Sequence, residues 1–250
     1  MTFAFMRQTQ FSGLFTCLLL ASALVHASGL QVAPTTLSLQ SSQNADGLWL
    51  SNTGDAVVHA QLRVYHWTQD ANGDQLTPSS GLVVSPPMLQ LAIGDRQLIR
   101  VIRVGPPPIG PGATEDAYRL AIDELPIDAQ GKQGLQFVLH YSVPIFIEPA
   151  GPAATPPQLQ WSLRQDGQTV LLQVSNLGGS HAQLAALNFV DGAGHRTEIN
   201  AGLLGYVLPG ATMHWALKPS AAVFAAGGTL EVMINGEKAT ENLSLGDRRR

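Results

Sequence analysis

Cysteine is nearly absent from this chain of 250 residues, and the one cysteine, Cys17, lies in an apolar run near the N terminus. Small exported domains often depend on disulfides because their cores are thin. If the N-terminal run is removed on export, the remaining chain has no thiol to pair. It must then bury a core of its own, and its length suits two domains of about 100 residues each.

Long apolar segments are also missing beyond the first residues. Arg7 precedes the apolar run 14–25, and His26 and Ala27 follow it before Ser28, with small residues at the cleavage site. This pattern is typical of a secretory signal peptide, which we predict at 1–27. No later stretch reaches the roughly 18 apolar residues of a membrane helix. We therefore expect an exported protein with no membrane insertion after signal cleavage.

Charge clusters and catalytic motifs are sparse as well. The formal net charge is −4 and the basic residues are scattered, which argues against a nucleic-acid surface. The histidines lie without a second ligand at metal-binding spacing, and no nucleotide loop or nucleophile elbow is present. We predict no catalytic residue, metal or cofactor, and no enzyme. An exported hydrolase would need a nucleophile–base pair or a metal cluster.

Short apolar runs separated by Gly, Pro, Asn and Asp fill the chain from Leu30 onward and predict β-strands. We expect an all-β protein of two immunoglobulin-like β-sandwich domains, 28–149 and 158–250, joined by the Pro/Gly-rich linker 150–157. In the second domain, Asn235-Gly236 predicts a tight hairpin. The predicted strands are 30–39, 46–52, 57–68, 82–85, 88–91, 97–104, 118–124, 136–147, 158–164, 169–176, 183–191, 203–207, 212–216 and 229–234.

One predicted strand is unusually long. Apolar residues occupy every second position from Leu135 through Phe137, Leu139 and Tyr141, so the alternation extends over about eleven residues, beyond the usual strand length. Two interpretations remain open. The strand is the last one of the first sandwich, with one face in its core, or part of it lies at an open edge and offers its side chains to another protein.

Several segments carry a resemblance to a known family. They are 84–88, 94–101, 118–126 and 141–146 in the first predicted domain, and 159–164 and 205–208 in the second. In order and spacing the first four resemble the periplasmic chaperones of chaperone–usher pilus assembly. The last two look like the archaic branch of that family.

The resemblance implies a periplasmic chaperone that holds fimbrial subunits by donor-strand complementation and delivers them to an outer-membrane usher. Subunits of such fimbriae are sandwiches that lack a strand, and the chaperone's long strand fills the gap. The residues implied to enter the subunit groove are Leu135, Phe137, Leu139 and Tyr141. The alternative is that the chain is itself a pilus subunit or adhesin of immunoglobulin-like fold. Weak self-association of the free protein stays open.

Two positions depart from the better-known branch, where basic residues grip the subunit's C-terminal carboxylate. This chain has Thr36 and Pro144 there. A buried carboxylate favours a planar, bidentate donor, and Arg119 is the preferred anchor, ahead of Arg100.

Arg63 is a weaker anchor candidate still. The alternative for Arg119 is a solvated side chain or a pair with Asp123. A third departure is Glu148, which stands where that branch has an interdomain arginine and predicts a different contact between the domains.

Overall fold

The computed structural model describes residues 29–126 and 138–246, so the predicted signal peptide at 1–27 lies outside the described residues. Strands dominate the described chain, as predicted, and a short helix, α1, spans Ala221–Phe224. No helix in the described ranges is long and apolar enough to cross a membrane. The strands are β1 (Leu30–Ala33), β2 (Leu37–Leu39), β3 (Ala45–Asn52), β4 (Val58–Asp70), β5 (Gly73–Pro78), β6 (Leu82–Ser85), β7 (Met88–Leu91), β8 (Arg96–Arg103), β9 (Asp116–Leu125), β10 (His140–Ile147), β11 (Leu159–Asp166), β12 (Thr169–Asn176), β13 (Ala182–Asp191), β14 (Arg196–Val207), β15 (Thr212–Leu217), β16 (Gly228–Ile234) and β17 (Glu237–Leu243).

The first sandwich packs two sheets face to face. One has the strand order β1-β3-β8-β6, and the other β2-β10-β9-β4-β5, with β7 also paired to β4. Alternate residues of each strand point into the space between the sheets, as the period of a strand requires. The fully buried side chains there include Leu48, Ile99, Leu120, Ile122 and Ile145.

The first predicted strand, 30–39, is wrong as a single element. The chain forms β1, which pairs with β3, and then β2, which runs parallel to β10 in the opposite sheet. Pro34 lies between them and has no N–H to donate, so the ladder cannot continue through it. This change of sheet places β2 on one edge of β10.

The second sandwich has the sheets β11-β12-β15 and β14-β13-β16-β17. The predicted hairpin at Asn235-Gly236 is confirmed: both residues have positive φ, 50° and 85°, and they join β16 to β17. The strands β17 and β5 were not predicted because both are rich in polar residues, and β14 is longer than predicted.

The two sandwiches are in direct contact. Trp67, Ala117 and Phe146 belong to strands of the first sandwich, yet their side chains form one continuous apolar cluster with the core of the second. Trp67 and Phe146 are each only 1% exposed. The strands β4, β9 and β10 therefore contact the second sandwich through the face of their sheet that is turned away from the first core.

Candidate functional site

Strand β10 has different neighbours along its length. It pairs antiparallel with β9 from His140 to Ile147, but β2 covers its other edge only from Ile145 to Ile147. From His140 to Pro144 that second edge has no partner strand within the described residues. An edge of this kind presents unpaired backbone groups that can template pairing with another chain.

The register identifies the backbone groups at this open edge. The carbonyl of Leu139 accepts a hydrogen bond of 2.9 Å from the Glu124 N–H. In an antiparallel ladder, alternate residues direct both backbone groups to the same neighbour. Tyr141 and Val143 thus bond to β9, and His140 and Ser142 direct their N–H and C=O groups to the open edge. Pro144 has no N–H and lies where the open edge meets β2.

Two of the predicted donor side chains can be located, and both lie over the first core. Leu139 and Tyr141 are half-buried against it, on the same face as Val143. The Tyr141 hydroxyl donates to the carbonyl of Leu30, and burial, helped by the charge of Glu124, raises its pKa. Leu135 and Phe137 lie outside the described residues. Whether these four side chains enter a partner's groove stays a prediction.

Charged side chains surround the first residues of β10. The Glu124 carboxylate accepts the Leu139 N–H at 3.0 Å. Asp123 accepts from Arg63 at 2.6 Å and lies 2.5 Å from His140 Nδ1. Partial burial favours a higher pKa for Asp123, but the hydrogen bonds and charges of Arg63 and His140 outweigh it and lower that pKa. Arg63, the weaker anchor candidate, is therefore already paired with Asp123.

Arg119 lies directly opposite Pro144 in the β9–β10 register. Directly opposed residues share a face of the sheet, so Arg119 projects from the outer face, away from the first core. Its neighbours two residues away on that face, Ala117 and Ala121, are small and buried.

Thr36 immediately precedes Leu37, which pairs with Ile145. Arg119 thus stands beside the position where the better-known branch has its basic grip, but on the neighbouring strand.

The guanidinium of Arg119 occupies a corner between two aromatic rings. Its central carbon is 3.6 Å from the ring centroid of Trp67 and 5.0 Å from that of Tyr206, which belongs to the second sandwich. Burial lowers its pKa, against the opposing effects of Asp74 and Tyr206. Arginine nevertheless stays protonated at neutral pH.

Arg119 makes no ion pair with any carboxylate in the described ranges. Its one hydrogen bond there is long, 3.4 Å from Nη1 to the carbonyl of Ser142. The alternative pair with Asp123 is not formed, because Asp123 binds Arg63 and His140 instead. The Arg119 side chain is half-buried, and the negative charge of Asp74 acts on it, but its N–H groups remain available for an anion. Arg100 is not brought to this site: it is exposed on β8, in the opposite sheet.

The contact between the sandwiches uses residues that the sequence analysis did not identify. His181 Nδ1 and Glu115 Oε1 lie 2.7 Å apart across the junction, and the His181 ring stacks on Phe146 with centroids 3.6 Å apart. Glu148 is exposed, and its backbone N–H bonds to Leu39. Whether this contact differs from that of the better-known branch stays a prediction. The pairing partners are far apart in sequence, and no local signal could have found them.

The described residues thus define a two-domain protein of immunoglobulin-like sandwiches. Among them, the first half of β10 has one edge without a partner strand, and the half-buried Arg119 lies on the adjacent strand β9. A family model described as "Pili and flagellar-assembly chaperone, PapD N-terminal domain" matches residues 29–153, which is 125 of the 250 residues. The chain belongs to this family. The predicted resemblance is confirmed.

Individual proteins are also similar to this chain. The chaperone protein PmfD of Proteus mirabilis is 24% identical over 150 residues, a stretch that covers 59% of this chain and 57% of that relative. A chain of the CsuC–CsuE chaperone–tip adhesion subunit pre-assembly complex, from archaic chaperone–usher Csu pili of Acinetobacter baumannii, is 24% identical with a TM-score of 0.66. The alignment covers 87% of this chain and 99% of that one.

A chain of the Salmonella enterica complex of the SafA pilin with the SafB chaperone aligns with a TM-score of 0.61 at 17% identity, covering 87% of this chain and 97% of that one. At these identities the likeness to the solved structures shows the fold. The predicted fold class, two immunoglobulin-like β-sandwiches, is confirmed.

Proposed function

We propose that this protein is a periplasmic chaperone that binds fimbrial subunits along the open edge of β10 and delivers them to an outer-membrane usher. The observation that carries the proposal is the edge from His140 to Pro144, which has no partner strand among the described residues, together with Arg119, whose Nη1 lies 3.4 Å from the Ser142 carbonyl on the same strand. The family supports the chaperone role. The subunit or adhesin alternative has no comparable support, because the family match is to chaperones.

Strand addition accounts for the geometry of this edge. An extended segment of a subunit that pairs with β10 would bond to the outward backbone groups of His140 and Ser142. Leu139 and the residues before it, Leu135 and Phe137, would supply the alternating apolar side chains that fill the subunit's groove. Chains with this fold occur in complexes with a tip adhesion subunit and with a pilin, according to the descriptions of those structures.

Arg119 is the proposed anchor for the subunit's C-terminal carboxylate. A guanidinium binds a carboxylate through two parallel hydrogen bonds, and these are strongest where water is excluded. It lies on β9 opposite Pro144, and its Nη1 is 3.4 Å from the carbonyl of Ser142, a residue that directs its backbone groups to the open edge.

The strand is tested by co-expression with candidate subunits and purification from the periplasm. Phe137→Asp should abolish co-purification, because a charge cannot enter an apolar groove. The matched control is Val138→Asp. Val138 is the next residue, is 49% exposed, and lies outside the alternating apolar set of Leu135, Phe137 and Leu139. We expect Val138→Asp to retain the subunit and both variants to show the circular dichroism of the parent. Normal subunit yield with Phe137→Asp would overturn the proposal.

The anchor is tested in the same assay with two arginines. Arg119→Ala should reduce subunit yield, whereas Arg100→Ala, a matched change on the opposite sheet, should not. An unchanged yield with Arg119→Ala would contradict the anchor role of Arg119.

A further inference from the structure

Tyr206, at the end of β14 in the second sandwich, reaches across the junction to the arginine of the first. Its ring centroid lies 5.0 Å from the Arg119 guanidinium carbon and 5.4 Å from the ring centroid of Trp67, with the two rings almost perpendicular at 81°. Tyr206 is 7% exposed. The two rings thus form two walls around one cation, and each wall comes from a different sandwich.

Hydrogen bonds from both sandwiches hold this tyrosine in place. Its hydroxyl accepts from Gln183 Nε2 at 2.8 Å, within the second sandwich. Its backbone carbonyl accepts from Gln69 Nε2 at 2.9 Å, and the Leu208 N–H donates to Gln69 Oε1 at 2.8 Å. Gln69 belongs to β4 of the first sandwich, so one side chain bonds to the backbone on both sides of Val207. The position of the Tyr206 ring is determined by the docking of the two sandwiches.

An arginine side chain has many rotamers, and binding an anion would require ordering them. Aromatic rings attract a guanidinium through their faces and shield it from water, without using its N–H groups. Trp67 alone supplies one such contact, and Tyr206 adds the second. The long hydrogen bond to Ser142 is too weak to fix the guanidinium by itself.

We propose that Tyr206 is a positioning residue for carboxylate binding. Its ring, which belongs to the second sandwich, holds the Arg119 guanidinium against Trp67 and so fixes its orientation for binding a terminal carboxylate. This inference rests on the proposed function, in which Arg119 anchors the subunit's C terminus. It adds that the second sandwich takes part in that binding although the open strand edge belongs entirely to the first.

The test is a titration of the purified full-length chain with acetate, followed by NMR at the Nε–H resonance of Arg119. Acetamide is the matched neutral probe. Tyr206→Phe keeps the ring and should bind acetate within twofold of the parent. Tyr206→Leu removes the ring at similar volume and should weaken acetate binding by about fivefold. In both variants acetamide should leave the resonance unchanged.

Three results would overturn the inference: unchanged acetate binding in Tyr206→Leu, an equal loss in Tyr206→Phe, or an Arg119 resonance that responds to acetate and acetamide alike. If Tyr206→Leu does not fold, Gln69→Ala provides the second variant. It removes both hydrogen bonds that hold the segment around Tyr206 and should weaken acetate binding by about threefold, while parent-like binding would count against the inference.

Failure of the proposed function gives a different pattern. A chain that binds acetate in a Tyr206-dependent way but never captures a subunit supports the positioning role and contradicts the chaperone. A chain that captures subunits, with Tyr206→Leu binding acetate as the parent does, supports the chaperone and contradicts the positioning role.

Discussion

The two ends of β10 lie in different surroundings. From Ile145 to Ile147 the strand has β9 on one edge and β2 on the other, and its outward side chain, Phe146, is buried in the junction between the sandwiches. From His140 to Pro144 it has β9 alone among the described strands. One strand therefore joins the two sandwiches at its end and, within the described ranges, has an edge without a partner strand at its start.

The difference separates residues that stabilise the protein from residues that are free to bind. Substitutions in the closed half should reduce the stability of the free protein. Substitutions at the outward backbone positions of the open half should leave stability nearly unchanged and reduce subunit binding. Arg119 lies opposite Pro144, at the boundary of the two halves.

The largest predicted effect comes from the same substitution at two adjacent residues. Val143→Pro removes a ladder N–H directed to β9 at a position only 4% exposed, and should lower the free energy of unfolding by about 3 kcal/mol. Ser142→Pro removes an N–H directed to the open edge, so stability should change by less than about 1 kcal/mol while subunit affinity falls by about tenfold or more. Urea unfolding and subunit co-purification measure the two quantities.

Ser142→Ala is the control for the proline pair, because it keeps the N–H and should bind as the parent does. Equal destabilisation by the two prolines would show that Ser142 bonds within the protein, and the contrast between the halves would be lost.

A second prediction concerns the junction at the closed end. His181→Phe keeps a ring to stack on Phe146 but leaves the Glu115 carboxylate, 8% exposed, without the imidazole. We expect a loss of about 2 kcal/mol in the free energy of unfolding. Combined with Glu115→Leu, the loss should be smaller than the sum of the two single changes by about 1 kcal/mol or more. Additive losses in urea unfolding would mean that the two side chains are not coupled.

The smallest effect is a pH dependence at the open end. The folded protein holds the pKa of Asp123 below its ordinary value, although partial burial opposes this. The stabilisation is therefore present above about pH 4, the ordinary pKa of an aspartate, and is lost as the pH falls through the lower folded-state pKa. Asp123→Asn should cost less than about 1 kcal/mol at pH 7, because its partners are exposed.

The Asp123→Asn variant should also have a flatter decline of stability in acid, measured by urea unfolding at several pH values. A decline that coincides with that of the parent would exclude a contribution from Asp123.

Local patterns predicted much of the fold. Period-two alternation identified most strands, and Asn235-Gly236 predicted its hairpin because few residue pairs accept two positive φ angles. The alternation on β9 also places Arg119 on one face of the strand and the core residues Leu120 and Ile122 on the other. The strand β5 was missed because it is rich in polar residues, and the break at Pro34 was missed because it depends on the pairing of β1 and β2 with strands of different sheets.

The surroundings of the candidate site could not be predicted in the same way. Trp67, Tyr206 and His181 come together only when the two sandwiches dock, and nothing in their local sequence marks that contact. The register, which also comes from tertiary structure, shows that the half-buried Tyr141 and the outward Arg119 lie on opposite faces of one sheet. A partner that contacts both the predicted donor side chains and the proposed anchor would therefore have to reach both faces of this sheet.

The most direct test of the open edge is residue-by-residue amide hydrogen exchange along β10, with and without a captured fimbrial subunit. In the free protein we predict slow exchange at Tyr141 and Val143, which bond to β9, and fast exchange at His140 and Ser142. Capture of the subunit should slow exchange at His140 and Ser142 by tenfold or more, as expected for newly formed ladder hydrogen bonds. Unchanged fast exchange at these two amides in the complex would contradict strand pairing at this edge.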